Sequence, residues 1–190
     1  VVAARGADFS WSDGGAWTSF LVIPNTTYER IDYDRYNYGS GEKYVVVDGV
    51  NTPAFYDVIA NTMAYGVGFP VDVIGASFVS NFKNHLFYAV DNNLVFSAPF
   101  TDNDFTPGNG SGIINIGDEI TGLISFREQL FIFCLNKIFR LSGNALADFV
   151  ISPVTVNTGC VSGHTIQEVG GDILYKGPDG IRFLSATEKV

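Results

Sequence analysis

Three stretches of this sequence read as one hairpin written three times: KNHLFYAVDNNLVFSAP (83–99), REQLFIFCLNKIFRLSG (127–143) and GGDILYKGPDGIRFLSA (170–186). Their central turns, Asn92-Asn93, Asn136-Lys137 and Asp179-Gly180, fall 44 and 43 residues apart. The strands before those turns begin Leu86-Phe87-Tyr88, Leu130-Phe131-Ile132 and Ile173-Leu174-Tyr175, and the strands after them are LVFS, IFRLS and IRFLS. A further strand-like piece precedes each hairpin: 76–82, 120–126 and 164–170. A weaker fourth unit, KYVVVDGVNTPAFYD (43–57), lies upstream, and its Pro53 suits an edge strand or a strand start.

A fixed period with three or four strands per unit limits the fold. The turns place αL-tolerant residues where a short hairpin needs positive φ. The strands are apolar on successive residues (LFIF, LFYAV, VVV), which predicts sheets covered on both faces. A sandwich, with one face of each sheet in water, would alternate more cleanly, and it remains the alternative. A period of 40–45 residues matches four-stranded propeller blades, so the expected fold is all-β, with β-propeller-like blades of antiparallel strands in a partial or complete ring. Leucine-rich and paired-helix repeats fit neither the period nor the patterning.

Composition agrees. The chain is 46% hydrophobic and only 16% charged, with 16 Phe, nine Tyr and 21 Gly, which favours short strands and turns. The expected organisation is an N-terminal segment, 1–42, carrying attachment or edge strands, followed by about four blades over 43–190. WTSFLVIP (17–24) is the strand candidate in the first part. The last blade lacks an outer strand, to be supplied by the N-terminal segment or by further polypeptide. Both ends read as cuts through a longer chain.

The formal charge of −9 repels phosphate, which argues against tight nucleic-acid binding and suits a surface past which DNA slides. Cys134 and Cys160 are expected as free thiols, Cys134 buried, since a disulfide scaffold is usually small and cysteine-dense. Two distant Cys and two distant His (His85, His164) do not make a zinc site. No apolar run approaches the ~20 residues of a membrane span.

Two stretches are candidates for binding. TDNDFTPGNGSG (101–112) offers Asp102, Asn103 and Asp104 as oxygen donors, but it lacks EF-hand spacing, and Asx turns explain it without calcium. YERIDYDRYNY (28–38) sets Tyr28, Tyr33, Tyr36 and Tyr38 among Arg30, Asp32, Asp34 and Arg35. That mixture suits edge-strand packing, a protein interface or, less well, a glycan site. No enzyme signature stands out: the acidic residues sit in turns, His85 and His164 have no nucleophile nearby in sequence, and GNGSG (108–112) lacks the Lys-Ser/Thr of a phosphate loop. No catalytic, cofactor-binding or metal-binding residue is assigned.

The stretches SAPFTDNDFTPGNGSGIINIGDEITGLISFREQLFIFCLNKIFRLSG (97–143) and NTGCVSGHTIQEVGGDILYKGPDGIRFLSA (157–186) resemble structural proteins of tailed-bacteriophage virions. The likeness is to the β-propeller region of podoviral tail nozzle (tail tubular protein B-like) proteins. It runs through Phe96-Ser97, Phe105 to Gly110, Ile116 to Arg127, Leu130 to Phe133, Thr158 to Val161 and Val169 to Gly180. It is best over 76–186 and does not extend to 1–42. The resemblance implies a non-enzymatic tail component of the virion, acting in assembly, host attachment and DNA passage. Its expected partners are copies of itself in a cyclic ring and other tail proteins such as adaptor and fibres. A propeller lectin binding host glycan is the alternative, and a propeller glycoside hydrolase a more distant one.

Overall fold

The computed structural model describes residues 2–5, 8–23, 30–38 and 41–187. Five antiparallel sheets follow one another along the chain. The first contains β1 (Val2–Arg5), β2 (Asp8–Trp11) and β3 (Thr18–Val22), and the second β4 (Asp32–Tyr36), β5 (Lys43–Val47), β6 (Ala54–Asp57) and β7 (Thr62–Tyr65). The third holds β8 (Phe78–Phe82), β9 (His85–Val90), β10 (Asn93–Phe96) and β11 (Gly112–Asn115). The fourth holds β12 (Ile120–Phe126), β13 (Gln129–Cys134), β14 (Ile138–Ser142) and β15 (Val150–Thr155). In the fifth, β16 (Gln167–Val169), β17 (Asp172–Gly177) and β18 (Gly180–Phe183) lead into one helical turn, α1 (Leu184–Thr187). Within each sheet strand order follows chain order, and β4, β8 and β12 lie side by side as innermost strands. This is the expected all-β, propeller-type arrangement of blades.

Sheet-to-sheet packing accounts for the doubly apolar strands. Leu86, Leu130 and Ile173 are fully buried at the same place on β9, β13 and β17. Each faces the preceding sheet, and the residues after the first two, Phe87 and Phe131, face the following one. Leu86, Tyr88 and Val95 pack with Val45 and Val47 of the second sheet. Phe87, Leu94 and Phe96 meet Leu130 and Ile132 of the fourth, while Phe131, Phe133 and Ile138 meet Ile173 and Tyr175 of the fifth. Each such side chain removed from water contributes about 1.5–3 kcal/mol.

The turns differ from expectation. Positive φ was expected at the central turns, yet there it occurs only at Asp91 (52°) and Gly180 (144°). Paired left-handed residues stand instead at the turn between the first two strands of the third, fourth and fifth sheets: Lys83-Asn84, Arg127-Glu128 and Gly170-Gly171. Each forms a two-residue loop, closed by Phe82↔His85, Phe126↔Gln129 and Val169↔Asp172. These are the positions where the right-handed strand twist favours a turn with two positive φ angles.

The organisation near the N-terminus also differs. A boundary at residue 42 falls between β4 and β5, which pair from Asp32↔Val47 to Tyr36↔Lys43. The aromatic-charged stretch thus begins the second sheet and forms its innermost strand. Residues 17–24 do supply a strand, β3, but it joins β1 and β2 rather than the fifth sheet. Pro53 immediately precedes β6, the strand start that its missing N–H favours. Among the described residues no helix is long and apolar enough to cross a membrane.

Candidate functional site

β4, β8 and β12 form the inner wall, and the polar residues of the second sheet converge there. Asp32 and Asp34, two apart on β4, point the same way because side chains alternate along a strand. Asp32 accepts the backbone N–H of Val79 at 2.9 Å and Asp34 that of Asn81 at 2.6 Å, so two carboxylates hold the free edge of β8. Tyr38 donates to the Asn81 side chain (2.7 Å), and the Ser80 and Ser125 hydroxyls meet at 3.1 Å, extending the polar seam to β12. A groove of about 320 Å³ runs along it, lined by Asp32, Asp34, Arg35, Asn81 and Ser125 among others. Burial raises the Asp32 pKa to about 7 despite the Val79 N–H, and burial raises that of Asp34.

The left-handed turns sit at one end of this wall and clasp one another. Lys83 pairs with Glu128 of the next sheet, and Arg127 donates to the Gly171 carbonyl of the sheet after that. Arg35 faces Glu42 at 3.7 Å. Lys83, Arg127 and Arg35 are therefore each placed against an acceptor.

At the opposite end the loop before β16 crosses sheets. Thr121 lies at an irregularity in the β12–β13 pairing, and its hydroxyl donates to the Cys160 carbonyl at 2.7 Å. Its own carbonyl sits so close to Gly163 that a Cβ there would come within 1.9 Å. His164 packs against Phe78 of the third sheet, ring centres 5.6 Å apart, and burial lowers its pKa. A second groove at this end is bordered by Arg30, Asp48, Phe78 and His164.

The 101–112 carboxylates turn to different partners. Asp102 accepts from the Tyr36 hydroxyl at 2.7 Å and lies 3.7 Å from Lys43. Asp104 accepts from Thr106 N at 2.8 Å and Asn109 Nδ2 at 2.7 Å; these bonds lower its pKa and fold the loop on itself. Among the described residues no group of three or more His, Cys, Asp or Glu could hold a metal ion. His85 is buried, its Nδ1 2.7 Å from the Ser97 carbonyl, and is packed edge-on to Phe96 and Phe149. Both cysteines are free and buried, and burial pushes the Cys134 thiol up to about 12.

The tyrosines of 28–38 separate. Tyr28 lies outside the described residues. Tyr36 and Tyr38 turn inward, with ring centres 4.8 Å apart. Tyr33 faces the other way, 62% exposed, at the end of a row with Tyr44 (6.2 Å) and Tyr56 (6.3 Å from Tyr44). Phe20 of the first sheet continues the row, 5.5 Å from Tyr56. The groove over this row measures about 410 Å³ and is lined also by Ile31, Glu42, Val46 and Val58. Of the tyrosines named in 28–38, Tyr33 lines this groove. That the β4 carboxylates Asp32 and Asp34 accept N–H groups of β8 left no signal, since it depends on which strands adjoin across sheets.

No protein-family model matches the chain. No curated protein matches it in sequence. Solved structures do match in fold. BBS1N in its complex with ARL6DN, from a lead-soaked crystal, aligns with a TM-score of 0.63 at 12% identity over 96% of this chain and 59% of that one. The mercury-soaked crystal of the same complex gives 0.62 at 14% identity, with the same coverage. The extracellular domain of the B. thetaiotaomicron one-component system BT4673 gives 0.62 at 12% identity, over 96% of this chain and 25% of that one. The chain thus spans well under two thirds of each of these structures. At such identities the likeness is one of fold, and the fold is a run of β-propeller blades.

Proposed function

We propose that this chain is a structural module of a bacteriophage tail, in the nozzle or fibre platform of the virion, without enzymatic activity. Its work there is assembly with copies of itself in a ring and with other tail proteins, host attachment, and a passage that DNA crosses without sticking. The resemblance of 76–186 to tail nozzle proteins motivates the assignment. The observation that carries it is where the repeat spends its residues. Leu86, Leu130 and Ile173 recur as core, and the intervening turns bind sheet to sheet. The inner wall offers carboxylates and hydroxyls, with Lys83, Arg127 and Arg35 paired to acceptors, on a chain of net charge −9.

Immunogold labelling with antibodies to this chain should decorate the tails of particles that carry its gene, and duplex DNA should not bind it at physiological salt. Particles free of the chain, or micromolar DNA binding, would overturn the proposal. One observation favours a lectin as a second reading: the row of exposed Tyr33 and half-buried Tyr44 and Tyr56 beside Glu42 offers flat faces and a carboxylate to a sugar. The row occurs on one sheet, whereas a blade-by-blade lectin repeats its binding residues. Specific retention on a glycan array, abolished by Tyr44→Ala, would establish the lectin instead.

A further inference from the structure

The third sheet packs one face on the second, and a cleft opens beside that contact at the outer strand of the third. Val95 on β10 stands opposite Ile113 on β11, and directly opposed residues share a side. Val95 is buried with Val45 and Val47 of the second sheet, whereas Ile113 is 53% exposed. These two line the cleft together with Pro70 and Asp72, at the 3-10 turn Val71–Val73, and with Phe105 and Pro107 of the loop before β11. The lining residues fall between 70 and 113, a stretch described without a break. The volume is about 230 Å³.

The walls are set before anything enters. Phe105 packs on Phe69, ring centres 5.1 Å apart, and lies 6.0 Å from Tyr88. Both prolines fix their own φ, and Asp104 ties down the loop at Pro107 by accepting from Thr106 N and Asn109 Nδ2. Such a site loses little freedom on binding. Two polar side chains interrupt the apolar lining. Ser111 is 3% exposed, and its buried hydroxyl has no hydrogen-bond partner among the described residues, which is rare for a buried polar group. Asp72 is exposed and outside every ion pair of the described residues, and it is the one charged group in the described lining.

These features select an occupant. The cleft is smaller than the roughly 300–1,000 Å³ that holds a drug-sized molecule, so it suits a single side chain. An apolar stem matches Val95, Ile113 and the prolines. A flat cation matches the Phe105 ring and the Asp72 carboxylate, and an N–H donor matches the Ser111 oxygen. Arginine supplies all three, and it is enriched at protein interfaces where lysine is depleted. The net charge of −9 draws in a basic segment. Val71, next to Asp72 in the chain and 78% exposed, offers apolar surface to the rest of that segment.

We propose that this cleft takes an arginine side chain from a basic segment of a partner protein, its guanidinium donating to the Ser111 hydroxyl and the Asp72 carboxylate. The site goes beyond the virion assignment and stands or falls without it, since any assembly can supply such a segment.

Titration of the isotope-labelled chain with the peptide Ac-Gly-Arg-Gly-NH2, followed by amide NMR shifts, tests it. Saturable shifts should centre on Asp72, Ser111 and Ile113, with a Kd of order 1–10 mM, the range open to about ten contacting heavy atoms. The lysine peptide Ac-Gly-Lys-Gly-NH2 carries the same charge and should bind at least about fivefold more weakly. Asp72→Asn and Ser111→Ala should each weaken the arginine peptide about three- to tenfold. Ser111→Ala has a second readout: with no hydrogen bond to lose, its urea midpoint should equal or exceed that of the unmodified chain. Absent or unsaturable shifts, equal binding of the lysine peptide, or unchanged affinity in either variant would overturn the proposal. A lowered midpoint for Ser111→Ala would overturn it too, because the hydroxyl would then already be engaged within the fold.

Discussion

Asp32 on β4 accepts the backbone N–H of Val79 on β8, and burial holds its pKa near 7. The sign follows from proton binding. Between the ordinary carboxyl value of 3.8 and about 7 the folded chain holds a proton that the unfolded chain has released. Stability therefore falls as pH rises through that window and levels off above it. Asp34, raised for the same reason, adds in the same sense. Asp32→Asn keeps an acceptor for Val79 and removes the charge. It should flatten the slope in thermal melts between pH 4 and 8 and raise stability at pH 8 by about 1 kcal/mol, a figure discounted for partial solvent screening. Parallel slopes for the two proteins would refute the assignment.

Leu86→Ala and Leu130→Ala delete fully buried side chains at equivalent positions. Each should cost about 2–5 kcal/mol in urea unfolding, depending on how far the site collapses. A loss below about 1 kcal/mol at either would mean that the position is not core.

Gly163→Ala should be worse than Gly170→Ala. The first drives a Cβ to within 1.9 Å of the Thr121 carbonyl, a backbone atom that cannot swing aside. The second meets nothing within 4 Å and suffers only from its φ of +61°, about 1–2 kcal/mol. Denaturant midpoints for the two variants compare them directly, and equal losses would contradict the close approach of these sheets.

Thiol titration should find two reactive groups in denaturant. In the folded state Cys134, with its pKa near 12 and its side chain buried, should be silent at pH 8 on the minute scale. Rapid labelling of folded Cys134 would place it outside the core.

The repeat made three sheets legible, because Leu86, Leu130 and Ile173 recur at a spacing that only equivalent strands explain. The left-handed turns were legible in principle. KN, RE and GG separate the same pair of strands in the three clear units, but Arg127-Glu128 carries no glycine or asparagine to advertise positive φ. The second sheet was cut at residue 42 because β4 reads as charged and aromatic; its carboxylates are consumed by β8, a neighbour that local patterning does not name. The Gly163 approach was hidden for the same reason. Glycine in a short loop signals a turn, whereas here its missing side chain admits the bulged backbone at Thr121.

The loop around His164 reaches past the fourth sheet to Phe78 of the third. Sheets three, four and five are therefore spliced at the inner end, so the fifth sheet cannot peel away without breaking into the third. The first sheet has no such splice among the described contacts, and meets its neighbour chiefly at outer strands. Cooperativity in this arc is thus lopsided: amide hydrogens of β1–β3 belong to a small, readily opened unit, and those of β8–β17 to one large unit that opens only as a whole.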